Sequence, residues 1–264
     1  MAFAGRGNDD AVRLRLPFLE PDNARYYLSE RGVAEYASYG HLMESEGAVL
    51  ELLRAEGLGR MRMLDLGVGG GRTTVHYAPH AGEYIGADFS EPLVQACRER
   101  FRDEQWPHAR FEVADARHLP YPDDHFDFVL FSWNGIDAVG GLEDRLRAFR
   151  EIRRVLKPGH RFVFSAHNLE YVFGPASLPR RLLRRTLNPR LASLRDADWG
   201  VVVDERVGLK YESHPYIRPA AQLEQLRGVG FTECVALRPD GTEVPDPRPG
   251  DFATRHWLYY RCRA

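Results

Sequence analysis

The stretch from Arg60 to Ser90, RMRMLDLGVGGGRTTVHYAPHAGEYIGADFS, constrains what the rest of the chain can fold into. Met61 to Leu66 is a short apolar run that carries one acid, Asp65, and is stopped by Gly67, Gly69, Gly70 and Gly71. An apolar run of that length, ended by glycines, predicts a buried parallel strand feeding a tight turn. Arg72 to Tyr77 restarts as a helix, and a second apolar run, Tyr84 to Ala87, ends at another acid, Asp88. Strand, glycine turn, helix, strand, acid is the first half of a nucleotide-binding α/β sheet.

The turn itself separates two cofactor classes. A dinucleotide fingerprint counted from Gly67 requires glycine at the position of Arg72. The chain instead reads D-x-G-x-G-x-G through Asp65, Gly67, Gly69 and Gly71, which resembles motif I of the class I S-adenosylmethionine-dependent methyltransferases. The resemblance implies S-adenosyl-L-methionine as cofactor. That molecule has no phosphate, so no helix end dedicated to an anion is needed. Glycines let its methionine part lie against bare backbone. An acid near the turn, Asp65, is expected to help hold the α-amino group. Asp88 follows Gly67 by about the twenty residues expected for an acid that grips a ribose diol.

Further motifs extend the resemblance. In the methyltransferases an apolar residue after the second acid packs on the adenine, and Phe89 stands there. Ser90 reads as an N-cap with Pro92 in the first helical turn. Leu93, Cys97 and Phe101 follow at core spacing, which makes Cys97 a packing residue. The segment ADARHLPYPDDHFDFVLF resembles the stretch from motif II into the fourth strand. On that resemblance Asp115 accepts from the adenine 6-amino group and the Ala116 backbone N–H donates to the ring. His118, in the loop, reads as an exposed histidine. Phe126 to Phe131 is a continuous apolar strand that delivers Ser132 and Trp133 to the carboxyl edge of the sheet, where open α/β sheets bind ligands. These two are expected to flank the reacting methyl, with Ser132 counted among the cofactor residues.

A helix from Leu142 to Leu156 leads to a fifth strand, Arg161 to Ala166, which ends in His167-Asn168. Three roles suit that pair. Histidine is the side chain best matched to general-base work near neutral pH, and His167 is the candidate catalytic residue. The two residues also suit a strand cap bonded to backbone. With Asp137 they approach a metal site, but metal-dependent O-methyltransferases carry Asp-Asn where this chain has His-Asn, and no metal is assigned.

The remainder sets the boundaries. At 264 residues the chain reads as one methyltransferase domain, with an N-terminal cap over residues 1–40 and a lid insertion over 170–217. The cap holds Tyr26, Tyr27, Tyr36 and Tyr39, either packed on the sheet edge or with one tyrosine closing over the ligand. Arg180, Arg181, Arg184 and Arg185 give the insertion a basic amphipathic helix, and Val201 to Tyr211 reads as added β structure. Only Lys157 and Lys210 among the 36 Lys+Arg residues are lysine, a skew that discounts arguments from arginine alone. Net charge is −2, which does not suggest a nucleic-acid partner. No apolar run has signal-peptide or membrane-spanning character, so a cytoplasmic enzyme is expected. Cys97, Cys234 and Cys262 are far apart and show no ligand or disulfide spacing. The resemblance implies a Rossmann-like α/β sheet of seven strands, six parallel and one antiparallel, with helices on both faces. It implies methyl transfer to a small molecule, at oxygen or nitrogen, in a biosynthetic pathway. The alternative is a protein of this fold that binds S-adenosylmethionine without methylating.

Overall fold

The computed structural model describes residues 12–13, 23–102, 106–173, 199–206 and 210–264. The Arg-rich helix expected around Arg180–Arg185 lies outside the described residues, as does most of the chain before residue 23.

The central sheet is built from β2 (Arg62–Leu66), β3 (Glu83–Asp88), β4 (Ala109–Val113), β5 (Phe126–Phe131), β6 (Leu156–His167), β9 (Thr232–Leu237), β10 (Glu243–Val244) and β11 (Trp257–Arg263). Their order across the sheet is β10-β9-β11-β6-β5-β2-β3-β4. The pairs β2–β3, β3–β4, β2–β5 and β5–β6 are parallel, while β11 runs antiparallel to both β6 and β9. That is the expected arrangement of six strands one way and one reversed. The eighth strand, β10, is an addition. The turn at Asp240-Gly241, with Gly241 at φ +84°, folds the chain back so that Val244 pairs with Ala236. Asp-Gly is a strong hairpin signal, because glycine takes the left-handed backbone that a tight turn needs. A small separate sheet joins β1 (Val12–Arg13), β7 (Trp199–Arg206) and β8 (Lys210–Ile217), which accounts for the β character of the insertion's second half.

β6 is longer than expected. It starts directly where α6 (Leu142–Val155) stops, with Leu156 paired to Phe126, and a register shift follows. The Gly159-His160 backbone is satisfied by the chain's last residue: Gly159 N–H donates to Ala264 and Ala264 N–H to His160, both at 3.0 Å.

Alternate side chains of the parallel strands face two cores, so the strands are apolar on both faces. Leu64, Leu66, Val129 and Phe131 face one core with Phe149 and Ile152 of α6 and Leu223 and Leu226 of α8 (Pro219–Gly228). Met63, Tyr84, Phe128 and Leu130 face the other, with Leu50 and Leu53 of α3 (Glu44–Ala55) and Val94 and Cys97 of α5 (Glu91–Arg100). All three cysteines are free thiols. Adjacent strands nevertheless bring Cys234 and Cys262 within hydrogen-bond reach, a pairing that sequence separation hides. Among the described residues no helix is long and apolar enough to cross a membrane.

Chain order puts β3 and β4 on one side of β2 and β5 and β6 on the other. This reversal is the topological switch point, and the carboxyl ends beside it form a crevice. Two short helices, α1 (Asn23–Tyr27) and α2 (Glu30–Ser38), lie at this edge. They are held by contact with the glycine turn: a Cβ added to Gly70 would stand 2.4 Å from the backbone nitrogen of Ala37. Ser90 does not cap its own helix; its hydroxyl donates to the Tyr27 carbonyl at 2.8 Å and pins the end of α1. We expect Gly70→Ala to cost about 1–3 kcal/mol by overpacking. It should also speed proteolytic cleavage within residues 23–40. Unchanged melting temperature and cleavage rate would show that α2 does not seat on Gly70.

Candidate active site

The switch-point crevice opens into a cavity of about 320 Å³, within the range of roughly 300–1,000 Å³ usual for small-ligand pockets. Gly67, Gly69, Asp88, Phe89, Asp115, Ala116 and Ser132 all line it. Seven of the residues singled out from the sequence are therefore brought together from four different strand ends. Asp65, Gly71 and His167 do not line it.

The first strand end supplies the glycine turn. Gly67 and Gly69 sit at φ +66° and +56°, a region that costs other residues strain, and they expose bare backbone to the cavity. Asp88, at the end of β3, is 5% exposed. Its Oδ2 accepts the Gly69 N–H and its Oδ1 the Ser90 N–H, both at 2.9 Å. Burial pushes its pKa up, and the N–H groups of Ser90, Gly69 and Phe89 pull against that rise. The carboxylate keeps lone-pair capacity for a further donor, as holding a ribose hydroxyl requires.

At the end of β4, Ala116 lines the cavity at 6% exposure, and its N–H has no acceptor among the described residues. A buried donor left over in this way awaits a ligand acceptor. Asp115 is paired with Arg117, whose Nη2 lies 2.6 Å from Oδ2. Arg117 draws the Asp115 pKa below the usual carboxylate range. His118 is exposed, as expected.

At the end of β5 the chain turns sharply. Trp133 and Asn134 adopt φ +51° and +61°, rare for residues with side chains and typical of functional strain. Trp133 packs edge-on against Tyr36 at 5.8 Å and Tyr39 at 4.8 Å, and Tyr27 packs against Phe89 at 6.0 Å. Tyr27 and Tyr36 themselves line the cavity, so the N-terminal tyrosines form its roof.

Beneath this lies a polar cluster that the sequence did not reveal. Glu46 of α3 has a fully buried side chain and is paired with Arg72, whose side chain is 6% exposed. Arg72 donates from both terminal nitrogens to Glu46, at 2.7 and 2.6 Å, and to Ser132 Oγ at 3.0 Å. Ser132 and Tyr259 hydroxyls also donate to Glu46 Oε1. Burial works to raise the Glu46 pKa; Arg72, Ser132 and Tyr259 more than offset it, leaving it below the ordinary value. In the sequence Arg72 stands out only as a missing glycine at the start of a helix, and almost nothing singles out Glu46. A glutamate at the third position of its helix, accepting the Met43 N–H at 2.7 Å, is the one local hint.

Asp65 is 1% exposed and faces inward: its Oδ2 accepts from Thr73 at 2.5 Å and Tyr84 at 2.6 Å. It reaches the cavity only through Thr73, which lines it. Gly71 is held closed by packing, since a Cβ there would stand 2.3 Å from the Phe101 ring.

His167 belongs to a second buried cluster. Asp137 Oδ2 accepts its backbone N–H at 2.7 Å and Nδ1 at 2.8 Å, while Oδ1 accepts from Arg145 at 2.5 Å. An ionised carboxylate only accepts, so Nδ1 carries the proton. Arg145 continues to Gln222 at 2.6 Å. Asn168 turns the other way, donating to Phe252 and Arg255 carbonyls at 2.8 and 2.9 Å. Among the described residues no group of three His, Cys, Asp or Glu side chains could hold a metal ion.

A family of methyltransferase domains matches residues 64–164. The chain is 30% identical over 145 residues to an uncharacterized methyltransferase YcgJ of Bacillus subtilis (strain 168), covering 55% of this chain and 52% of that protein. It is 29% identical over 193 residues to the ubiquinone/menaquinone biosynthesis C-methyltransferase UbiE of Vibrio vulnificus (strain YJ016), covering 64% and 71%. The CcbJ methyltransferase structure from Streptomyces caelestis shares the fold, with a TM-score of 0.62 at 17% identity over 90% of this chain and 98% of that one. Residues 64–164 thus match a methyltransferase-domain family, and the chain is similar to S-adenosylmethionine-dependent methyltransferases.

The chain spans about half the length of the Bacillus relative. S-adenosyl-L-methionine is the cofactor of this family, and the methyltransferase site fits it. Asp88 has acceptor capacity for a diol, Ala116 offers an unused N–H, and the bare backbone of Gly67 and Gly69 leaves room for a close ligand.

Asp65 generates a pH prediction. Burial pushes its pKa up to about 6, against Thr73, Tyr84 and Arg72. A carboxyl whose pKa is raised by folding stabilises most below its unfolded value, and that contribution is lost as pH rises through the folded value. Stability of the parent relative to Asp65→Asn should therefore fall by about 3 kcal/mol between about pH 4 and 7. Denaturant titrations of both proteins across that range test it; parallel curves would show that Asp65 ionises normally in the fold.

Proposed function

We propose that this methyltransferase transfers a methyl group to a small-molecule acceptor, with oxygen or nitrogen as the accepting atom, and that the acceptor is neither nucleic acid nor membrane. The meeting of Asp88, the glycine turn and an aromatic roof in one cavity of about 320 Å³ carries this reading. A cavity of that size, walled by Tyr27, Tyr36, Phe89 and Trp133, suits a small molecule better than a polymer.

When bound, S-adenosylmethionine supplies an electrophilic methyl on a sulfonium. The chain's own residues supply alignment and exclusion of water. Asp88 would hold the ribose diol, and Ala116 would hold the base. Ser132 is fixed by Arg72 and Glu46 and cannot rotate freely, so it gives the cavity a rigid polar floor. Tyr36 and Trp133, packed edge-on against each other, wall the same space.

His167 was expected as general base on position alone. Its engagement with Asp137, away from the cavity lining, supports a positioning role instead. Asp137 belongs to the 3₁₀ turn Gly135–Ala138, and both ends of that turn line the cavity. His167 would act by holding this turn in place. A neutral amine acceptor needs no base at all. A carbon acceptor is the second reading, because the Vibrio relative is named a C-methyltransferase.

Isotope-labelled methyl appearing in a small-molecule product would establish transfer; binding without product would leave a non-methylating protein of this fold. Asp88→Ala should weaken S-adenosylhomocysteine binding about tenfold or more, since the diol's acceptor is lost while donors stay buried. Unchanged affinity by calorimetry would remove Asp88 from the cofactor. His167→Asn should lower turnover by less than about tenfold and leave the shape of the pH–rate profile intact. A loss of about a hundredfold with a flattened acid limb would make His167 the base after all.

A further inference from the structure

The family resemblance assigns Asp115 to the adenine 6-amino group, yet three N–H groups of Arg117 already engage its carboxylate. Oδ1 accepts the Arg117 backbone N–H at 2.9 Å and Nε at 3.0 Å; Oδ2 accepts Nε at 3.0 Å and Nη2 at 2.6 Å. The Nε–H is shared between the two oxygens, so three of about four lone-pair sites are engaged and an amino donor must compete with the guanidinium for this carboxylate. The same guanidinium sends Nη1 to Asp144 Oδ2 at 3.1 Å. Asp144 lies in the first turn of α6, where the helix N-terminus favours its negative charge. It packs against Gly140, another residue of the cavity wall: a Cβ on Gly140 would stand 2.6 Å from Asp144 Oδ2. Arg117 therefore bridges two walls of one cavity, and itself lines it.

We infer that Arg117 is an internal competitor for the adenine end of the site. It occupies Asp115, and Asp144 retains its guanidinium when the base's amino group takes its place. The exchange is physically easy. Arg117 and Asp115 side chains are each 43% exposed and Asp144 33%, so both pairs are partly solvated and screened by salt. Giving up one pair while keeping the other leaves no buried charge unpaired. Arg117 thereby sets cofactor affinity and the discrimination between a 6-amino and a 6-oxo purine.

The inference rests on the cavity being the S-adenosylmethionine site, and calorimetry with S-adenosylhomocysteine and S-inosylhomocysteine tests both. Arg117→Ala and Arg117→Gln should each bind S-adenosylhomocysteine about two- to fivefold more tightly than the parent, the worth of one exposed pair. Their preference for the adenosyl over the inosyl compound should rise, because Asp115 is freed to read the amino group. Asp144→Asn should weaken binding in the parent and have no effect in the Arg117→Ala background, the signature of coupling through one guanidinium. Unchanged or weaker binding by both Arg117 variants would overturn the competitor role. Failure of parent and variants alike to bind S-adenosylhomocysteine would overturn the cofactor reading itself.

Discussion

The buried ion pair between Glu46 and Arg72 is the contact on which the rest of the site depends. Taking two charges out of water is costly, and a well-packed apolar pair would often be at least as stable. What the ion pair supplies is position. Glu46 comes from α3, Arg72 from the end of the glycine turn, Ser132 from the end of β5 and Tyr259 from β11, and hydrogen bonds join all four. Arg72 also donates to the His41 carbonyl at 2.9 Å and lies 4.7 Å over the Trp133 ring. One guanidinium thus fixes the glycine turn, the segment before α3 and the aromatic wall relative to one another. Its planar fork suits this task in a way a lysine's point charge does not.

Trp133 and Asn134 sit between the two buried clusters. On one side Ser132 is tied to Arg72 and Glu46; on the other Asp137 is tied to Arg145 and His167. The residues between have little freedom left, and two successive left-handed conformations are the result. Asn134 N–H donates to Ser165 Oγ at 2.8 Å, which anchors the strained turn to β6. A Cβ on Gly135 would stand 2.2 Å from the Phe131 ring, so the chain passes directly over the strand it has just left. Strain of this kind persists only where the surroundings over-determine it. Here the surroundings are two ion-pair networks, and the product is a tryptophan held at the cavity wall.

The features legible in the sequence are those governed by local rules. A glycine turn after an apolar run, an acid at each strand end and the alternation of strands with helices all arise within a few tens of residues, and the residues they mark, Gly67, Asp88, Asp115 and Ser132, line one cavity. What escaped depends on partners remote in sequence. Glu46 meets Tyr259 from the far end of the chain, so no window of sequence marks it as buried. Asp65 has a motif position that suggests a ligand contact, but the Tyr84 hydroxyl on the neighbouring strand claims it. Ser90 reads as a cap, yet Tyr27 of the N-terminal helix takes its hydroxyl. His167 stands at the expected strand end, and only the fold shows that Asp137 is waiting for its Nδ1. In each case the residue type signals a polar role and the tertiary structure decides the partner.

The roof of the cavity is attached through the floor. α2 rests on Gly70, and Arg100 of α5 donates to both the Ala37 carbonyl at 3.1 Å and the Gly70 carbonyl at 3.0 Å. Ser90, whose hydroxyl holds Tyr27, gives its backbone N–H to Asp88. The groups that hold Tyr27 and Tyr36 in place are thus bonded to the same glycine turn and the same carboxylate that line the cavity. A ligand that draws on Asp88 acts on an oxygen whose other bond orients Ser90, and so on the anchor of α1. Alignment of the ligand and closure of the tyrosines over it are linked by contiguous hydrogen bonds rather than by a separate lid. This also explains why the short α1, with only five residues, can serve as a wall. Isolated helices of that length do not hold together in water, so it owes its shape to the site it covers.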